Sequence, residues 1–278
     1  MLPALAAFGT MHGKEAAFGP PLAALGVALI LPEGLDTDRF GTFTGEVPRA
    51  GDMTAAARAK AEAARRVIGL DVALASEGAY GPHPTIPFIP AGIEIALWRD
   101  GARGQEIVER LVDEQPCFDH AEAADMAALA PFLARIGFPQ TGLIVAPASA
   151  RQRPLAKGLR EAGALAEAVG RAARESGDGR AFVQTDMRAH MNPRRMETLR
   201  RLARRLADRL AHPCPACAAP GWGMLRTEAG LPCGWCGRPT RLVAREIHGC
   251  TACGHSKAMP RRDGLAEAEP GACEACNP

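Results

Sequence analysis

Apolar positions in the first three quarters of the chain alternate between short continuous runs and helical spacing. The short runs predict buried strands at residues 4–8, 27–31, 71–75, 143–145 and 181–184. Helical patterns lie between them, at residues 14–25, 52–68, 121–136 and 159–174. The turn sequence Asp100-Gly101 predicts a hairpin between residues 93–98 and 105–112. Interleaved strands and helices predict an α/β fold, with a mixed, mostly central sheet and flanking helices.

The pattern changes sharply near residue 211. A last helix is predicted from Pro193 to Ala211, with one apolar stripe and an arginine-rich remainder, and Pro213 ends it. Residues 212–278 hold few large apolar side chains and many Gly, Pro and Cys, so this segment needs metal to fold. We therefore predict an α/β domain with an active-site cleft over residues 1–211 and a small zinc-ribbon-like domain over residues 212–278.

Eight of the nine cysteines form four C-x-x-C pairs in that tail. The pairs are Cys214/Cys217, Cys233/Cys236, Cys250/Cys253 and Cys273/Cys276. The spacing between the first and second pairs, and between the third and fourth, is typical of zinc ribbons, which predicts two structural zinc ions. Sequential pairing is the simplest assignment. A crossed arrangement, with the first and third pairs on one ion, stays open, as does an iron–sulfur cluster.

Composition narrows the class of protein. The 278 residues carry 33 Lys+Arg and 31 Asp+Glu, a net charge of +2 that argues against a surface built wholly to grip nucleic acid. The longest apolar run, residues 22–31, is about half a membrane span, and no basic stretch precedes it, so we expect a cytoplasmic protein without membrane segments. Lysine is scarce: it occurs only at positions 14, 60, 157 and 257.

Polar residues of chemical interest gather in the first part of the predicted α/β domain. Thr10, His12 and Lys14 open the first helix, which suits a phosphate cradle or an ordinary capped helix start. The loop at residues 33–49 is rich in carboxylates, hydroxyls and glycines. It supplies candidate Mg²⁺ ligands and cations, which continue into the next helix: Asp36, Asp38, Glu46, Arg49, Arg58 and Lys60.

Two further groups follow predicted strands. Glu77 comes directly after residues 71–75, where α/β sheets bind ligands. His83 lies between two prolines, which suits either a positioned acid/base or a turn-stabilising role. Asp186, Arg188 and His190 follow residues 181–184 and suit either one wall of a site or the start of the last helix.

Five motifs extend over nearly the whole chain: HGKE, DTDRFGTFTGEVPR, ASEGAYGPHPTIPF, QTDMRAHMNP and the closing cysteine pairs. Together they resemble a bacterial family described as a domain of unknown function, a likeness that implies no reaction. A fainter resemblance is to the inosine-triphosphate pyrophosphatase-like (Maf/Ham1) superfamily. It rests on Thr10, His12 and Lys14, on the helix segment 57–61, and on the acidic turn Ser76-Glu77-Gly78.

The fainter resemblance implies attack of a Mg²⁺-activated water on a nucleoside triphosphate. Glu46 and Glu77, with Asp36 or Asp38, would hold the metal, and Lys14, Lys60 and Arg58 would neutralise the phosphates. The leading prediction is thus a metal-dependent hydrolase of a nucleotide or other phosphorylated small molecule. Its catalytic residues would be Lys14, Glu46, Glu77, His83 and Asp186, and its substrate-binding residues Thr10, His12, Arg49, Arg58, Lys60, Arg188 and His190. The alternative, a non-catalytic RNA- or protein-binding module using the zinc ribbons and the arginine-rich helix, stays open.

Overall fold

The computed structural model describes residues 1–42 and 45–277. Residues 43 and 44, which belong to the predicted polar loop, and residue 278 lie outside the described part. The chain forms two compact units. The larger unit comprises Pro3–Ala102 and Val108–Leu206, and the smaller unit comprises Met1–Leu2, Arg103–Ile107 and Ala207–Pro278.

The strands and helices follow the predicted alternation along most of the chain. In chain order the strands are β1 (Leu5–Gly9), β2 (Ala28–Ile30), β3 (Val72–Pro82), β4 (Pro90–Asp100), β5 (Gln105–Asp113), β6 (His120–Ala123), β7 (Leu143–Pro147), β8 (Ala156–Leu159), β9 (Ala181–Thr185), β10 (Gly223–Ala229), β11 (Val243–Gly249) and β12 (Ser256–Pro260). The helices are α1 (Glu15–Ala23), α2 (Met53–Ile68), α3 (Met126–Ile136), α4 (Ala162–Glu175) and α5 (Pro193–Leu210). Asp52 caps α2 by accepting a hydrogen bond from the Ala55 amide at 2.7 Å.

The first sheet has the strand order β2-β1-β3-β4-β5. Strand β1 runs parallel to β2 and β3, and β3 runs antiparallel to β4. Alanines of α2 pack on alanines of β1 and β3, so the helix lies close to the sheet. A Cβ on Gly9 would lie 2.7 Å from the Lys60 carbonyl oxygen. Glycine at this position therefore lets α2 bring Lys60 to the end of β1.

The second sheet of the larger unit has the order β6-β9-β7-β8 and is antiparallel. Helices α3 and α4 cover it, and Leu129, Phe132, Leu165 and Val169 fill its core. The helix predicted from residue 121 is wrong at its start, because residues 120–123 pair with β9 and form β6. The mixed α/β class is confirmed, with the described strands divided among three sheets rather than gathered in one central sheet.

The smaller unit contains the antiparallel sheet β10-β11-β12. Gly223 at the start of β10 lies opposite Gly249 at the end of β11. The segments just before β10 and just after β11 therefore meet at one end of the sheet. In the part of the chain that the structure describes, no helix combines the length and the apolar character needed to cross a bilayer.

Candidate functional site

A cavity of about 60 Å³ lies in the larger unit, beside the ends of β1 and β9. Both sheets contribute to it: Ser76 and Glu77 come from β3, and Ile144 and Lys157 come from β7 and β8. Its lining residues are Gly9, Thr10, His12, Lys14, Thr37, Asp38, Gly41, Thr42, Arg49, Lys60, Ser76, Glu77, Ile144, Lys157, Asp186, Arg188 and Arg195. The carboxyl end of β1 next to the start of α1 is where α/β sheets commonly bind ligands.

Positive charge dominates this lining. Among the described residues, six lysines and arginines line the cavity against three carboxylates. Three of the four lysines in the chain are among the six, namely Lys14, Lys60 and Lys157. A concave site with this excess of cations attracts an anion.

Lys14 is the most perturbed of these cations. Its side chain is buried, and Nζ donates to the carbonyl oxygen and to Oγ of Ser76, both at 3.0 Å. Burial, reinforced by the positive charge of Arg195, lowers the pKa of Lys14 to about 7. A sizeable fraction of the amine is therefore neutral near neutral pH, which allows it to take up a proton or act as a nucleophile.

Replacing Lys14 by Met is expected to flatten the dependence of stability on pH. Between about pH 7 and 10.5, Lys14 is protonated in the unfolded chain and neutral in the folded chain. Because the unfolded state binds this extra proton, Lys14 makes the free energy of unfolding rise with pH in that window. The Lys14→Met variant should lack this rise. Urea unfolding at both ends of the window measures it, with Lys257→Met, an exposed lysine of the smaller unit, as the control. Parallel curves for Lys14→Met and the wild type would contradict the assignment.

Glu77 is held between two cations at the cavity wall. It forms a buried ion pair with Lys60, and Arg49 Nη2 approaches its Oε2 at 3.3 Å. Arg49 also donates to the Gly78 carbonyl oxygen at 2.9 Å. These contacts fix in place two cations that both line the cavity.

A fully buried ion pair lies behind this wall. Arg195 Nε donates to Glu94 Oε1 at 2.6 Å, and the Tyr80 hydroxyl donates to the same carboxylate. Burial raises the pKa of Tyr80, with a further contribution from the negative charge of Glu94. A Cβ on Gly78 would lie 2.7 Å from the Glu94 carboxylate, so glycine makes room for the pair.

Two more acids at the cavity have their own partners. Asp186 is fully buried and accepts hydrogen bonds from the side chain and backbone of Arg188. Asp38 Oδ1 lies 3.0 Å from His12 Nε2, and this hydrogen bond lowers the pKa of Asp38. The ring of His12 stacks on that of His190, with centroids 5.6 Å apart.

Most of the site residues predicted from the sequence therefore gather around one cavity. These are Thr10, His12, Lys14, Asp38, Arg49, Lys60, Glu77, Asp186 and Arg188. Glu46 is outside the lining and pairs with Lys157. His190 is exposed and contacts the site through His12, whereas Arg58 is exposed on α2.

His83 lies away from the cavity lining. Its Nδ1 accepts hydrogen bonds from the amides of Thr85 and Ile86, both at 3.1 Å. These two hydrogen bonds correspond to the turn-stabilising role, one of the two that the sequence left open, and they engage Nδ1 of the ring.

No three of the acids predicted to hold Mg²⁺ bring their oxygens close enough to share one ion, among the residues that the structure describes. Across residues 1–42 and 45–277, the clusters with three or more suitable donor atoms are two groups of cysteines. Glu46 and Glu77 face lysines, and the exposed Asp36 accepts a hydrogen bond from the Asp38 amide at 2.9 Å. The described acids therefore form no Mg²⁺ site made of protein ligands alone.

Sequence reasoning missed three charged residues: Lys157 and Arg195, which line the cavity, and Glu94, which pairs with Arg195. Because lysine is scarce in this chain, the presence of a lysine at position 157 was itself a sign that the residue has a specific role. Arg195 sits in an arginine-rich helix and looks like its exposed neighbours, so its sequence position gave no indication that it is buried.

The eight paired cysteines form two clusters in the smaller unit, and the pairing is crossed. One cluster joins Cys214 and Cys217 to Cys250 and Cys253, and the other is formed by Cys233, Cys236, Cys273 and Cys276. Sequential pairing, the simpler expectation, is wrong. The reason is the strand register, because Gly223 opposite Gly249 brings the knuckle before β10 next to the knuckle after β11.

The sulfur geometry of each cluster fits one tetrahedral ion. Sγ atoms from partner pairs lie 3.8 and 3.7 Å apart in the first cluster and 3.9 and 3.7 Å apart in the second. Four thiolates at about 2.3 Å from one ion would be separated by about 3.8 Å. These separations are far too long for disulfides, and the cysteines are free.

Comparison with known proteins adds a family. No curated protein and no solved structure matches the chain. A family model described as a domain of unknown function, DUF6671, matches residues 60–278, which include β3, the second sheet of the larger unit and both cysteine clusters. Because this match covers most of the sequence, the chain belongs to the DUF6671 family.

Proposed function

We propose that the larger unit hydrolyses a phosphoester or phosphoanhydride bond of a nucleotide or another phosphorylated small molecule. The observation that carries the proposal is the gathering of six lysines and arginines, counted over the described residues, around one small cavity. Phosphoryl transfer depends mainly on positioning and on neutralising the charge of the phosphate oxygens. A cavity of about 60 Å³ is of a size for a phosphate group, with the remainder of the substrate outside it.

The cavity offers distinct roles to its side chains. Lys60, Arg49 and Arg188 would bind the phosphate oxygens. Lys14, whose pKa is about 7, would take a proton from the attacking water as the bond from water oxygen to phosphorus forms. His12, oriented by Asp38, would return a proton to the leaving oxygen as the bond from that oxygen to phosphorus breaks.

The arginine-rich face of α5, which carries the alternative RNA-binding function, is less suited to binding phosphate. Arg200 and Arg204 on α5 both pair with Glu197, which offsets part of the positive charge on that face. The cavity holds its cations around one concave site, whereas Arg200 and Arg204 lie exposed on a helix face, so we place the function in the cavity.

We further propose that the two cysteine clusters bind zinc. Four sulfurs occupy all positions of a tetrahedral ion, which leaves no open site for a substrate, so the ions would be structural. Iron–sulfur clusters hold their thiolates on several iron atoms, which separates the sulfurs more widely than the 3.7 to 3.9 Å seen between partner pairs.

A screen for phosphate and pyrophosphate release over nucleotides and sugar phosphates tests the proposed hydrolase, with and without added Mg²⁺. We expect activity on at least one compound, and a loss of about 100-fold or more in kcat/KM for Lys14→Met. Lys257→Met, which removes the one lysine outside the larger unit, is the matched control and should retain full activity. No release from any compound by folded, metal-loaded protein would count against the proposal.

A further inference from the structure

Lys14 differs from the other two lysines of the cavity in its partners. Lys60 pairs with Glu77, and Lys157 pairs with Glu46. In the described part of the chain, Lys14 is in no ion pair, and Nζ contacts only oxygens of Ser76 within hydrogen-bond distance. A buried ammonium without a carboxylate is costly, so this environment favours the neutral amine.

A second observation points to a ligand beside this amine. The Thr10 side chain is 6% exposed and lines the same cavity, and its Oγ1 has no hydrogen-bond partner among the described residues. An unsatisfied buried hydroxyl costs free energy unless a ligand or an ordered water pairs with it. A carbonyl or hydroxyl oxygen of a bound molecule would satisfy it.

The charges nearby determine what reaction the amine suits. Arg195 lines the cavity, and its positive charge opposes protonation of Lys14; the negative charges of Glu94 and Glu77 favour protonation, each by less. Lysines that are desolvated, or that lie next to another cation, serve enzymes as amine nucleophiles towards carbonyl groups. Arginine would supply the same positive charge, and the chain uses arginine at nearly all other basic positions. A lysine at position 14 therefore suggests a need for an amine rather than for charge alone.

We propose that Lys14 forms an imine with the carbonyl group of a small phosphorylated aldehyde or ketone. The amine nitrogen forms a bond to the carbonyl carbon, and the bond from that carbon to its oxygen breaks. Both protons of the amine leave with the oxygen as one water molecule, so no oxidant or reductant is consumed. Ser76 Oγ, 3.0 Å from Nζ, is placed to relay these protons.

The proposal names the substrate class for the same cavity. It rests on the phosphate-binding part of the proposed function and does not require hydrolysis. The phosphate would lie against Lys60, Arg49 and Arg188. The Thr10 hydroxyl, which has no partner among the described residues, would donate a hydrogen bond to the carbonyl oxygen.

Borohydride trapping on the full, metal-loaded chain tests the inference. Borohydride supplies the hydride that converts an imine to a stable secondary amine, and peptide mass spectrometry then locates the label. Glycolaldehyde phosphate is the probe, and glycolaldehyde without phosphate is its matched control. We expect Lys14 to carry about tenfold more label than the exposed Lys257, and about tenfold more with the phosphorylated probe than with the control.

The outcomes separate this inference from the proposed function. The label should be absent at position 14 in Lys14→Arg and should be suppressed in the wild type by inorganic phosphate. Equal labelling of Lys14 and Lys257, or no label on Lys14, overturns the imine. If inorganic phosphate still binds in a calorimetric titration, the phosphate cradle stands without the imine, whereas absence of binding removes both.

Discussion

The double variant Cys217→Ser/Cys253→Ser is expected to keep one tightly bound metal ion per chain, whereas Cys217→Ser/Cys236→Ser is expected to keep none. All three cysteines are exposed, so the two variants are matched in burial. Cys217 and Cys253 belong to the same cluster, and their loss leaves the other four-sulfur cluster intact. Cys217 and Cys236 belong to different clusters, so their loss leaves three sulfurs at each.

Elemental analysis after challenge with a moderate chelator measures the number of ions retained. Sequential pairing would reverse the two results, because Cys217 and Cys236 would then share one site. Cys117→Ser is the control, since Cys117 belongs to neither cluster, and it should retain both ions. Retention of one ion by Cys217→Ser/Cys236→Ser would contradict the crossed arrangement.

The loss of metal should also unfold the smaller unit. Its described core is small, and one cluster of buried residues consists of Cys214, Ala219 and Cys250 with Trp222 packed against them. Metal binding in such small domains supplies about 10–16 kcal/mol of apparent free energy, which is the free energy of folding. We expect chelation to abolish protection of the β10–β12 amides from hydrogen exchange, and added zinc to restore it.

The cysteine clusters illustrate what the sequence can and cannot reveal. The C-x-x-C spacing is local, so it predicts that both sulfurs of a pair bind one ion. Which pairs share an ion depends on the register between β10 and β11, which no spacing along the chain encodes. The ligand residues were thus predictable, and their partners were not.

The same distinction applies to the strands and helices. The strand at β1 and the helix α2 have strong local signals, including the cap at Asp52, and the sequence located them closely. Residues 121–123 have helical composition but form part of β6, because pairing with β9 outweighs a weak local preference. The long antiparallel pairing of β3 with β4 also depends on contacts between distant segments.

The candidate site follows this pattern. The sequence identified most of the polar lining from residue types that follow strands, such as Glu77 and Asp186. It did not identify Arg195, because nothing in the sequence distinguishes a buried arginine from the exposed arginines of the same helix. Its role depends on Glu94, which lies about a hundred residues earlier and meets it only in the folded chain.

Replacing Arg195 by Leu is expected to destabilise the larger unit by about 3–5 kcal/mol, since it leaves Glu94 as a buried charge without its cation. Arg195 is 2% exposed and Glu94 is fully buried, so water cannot replace the lost contact without opening the fold. Urea unfolding, followed by the helical circular dichroism signal, measures the change. Arg194→Leu is the matched control: its guanidinium contact with Gln115 is exposed, and we expect an effect within about 0.5 kcal/mol.

The double variant Glu94→Leu/Arg195→Leu distinguishes loss of the pair from loss of packing. Removing both charges leaves no unpaired ion, so it should recover much of the stability that Arg195→Leu alone loses. Arg195→Leu should also raise the pKa of Lys14, because the positive charge of Arg195 is one cause of its lowering. If the double variant is less stable than Arg195→Leu, the buried ion pair is not the source of the effect. If the pKa of Lys14 does not move, Arg195 does not favour its neutral form.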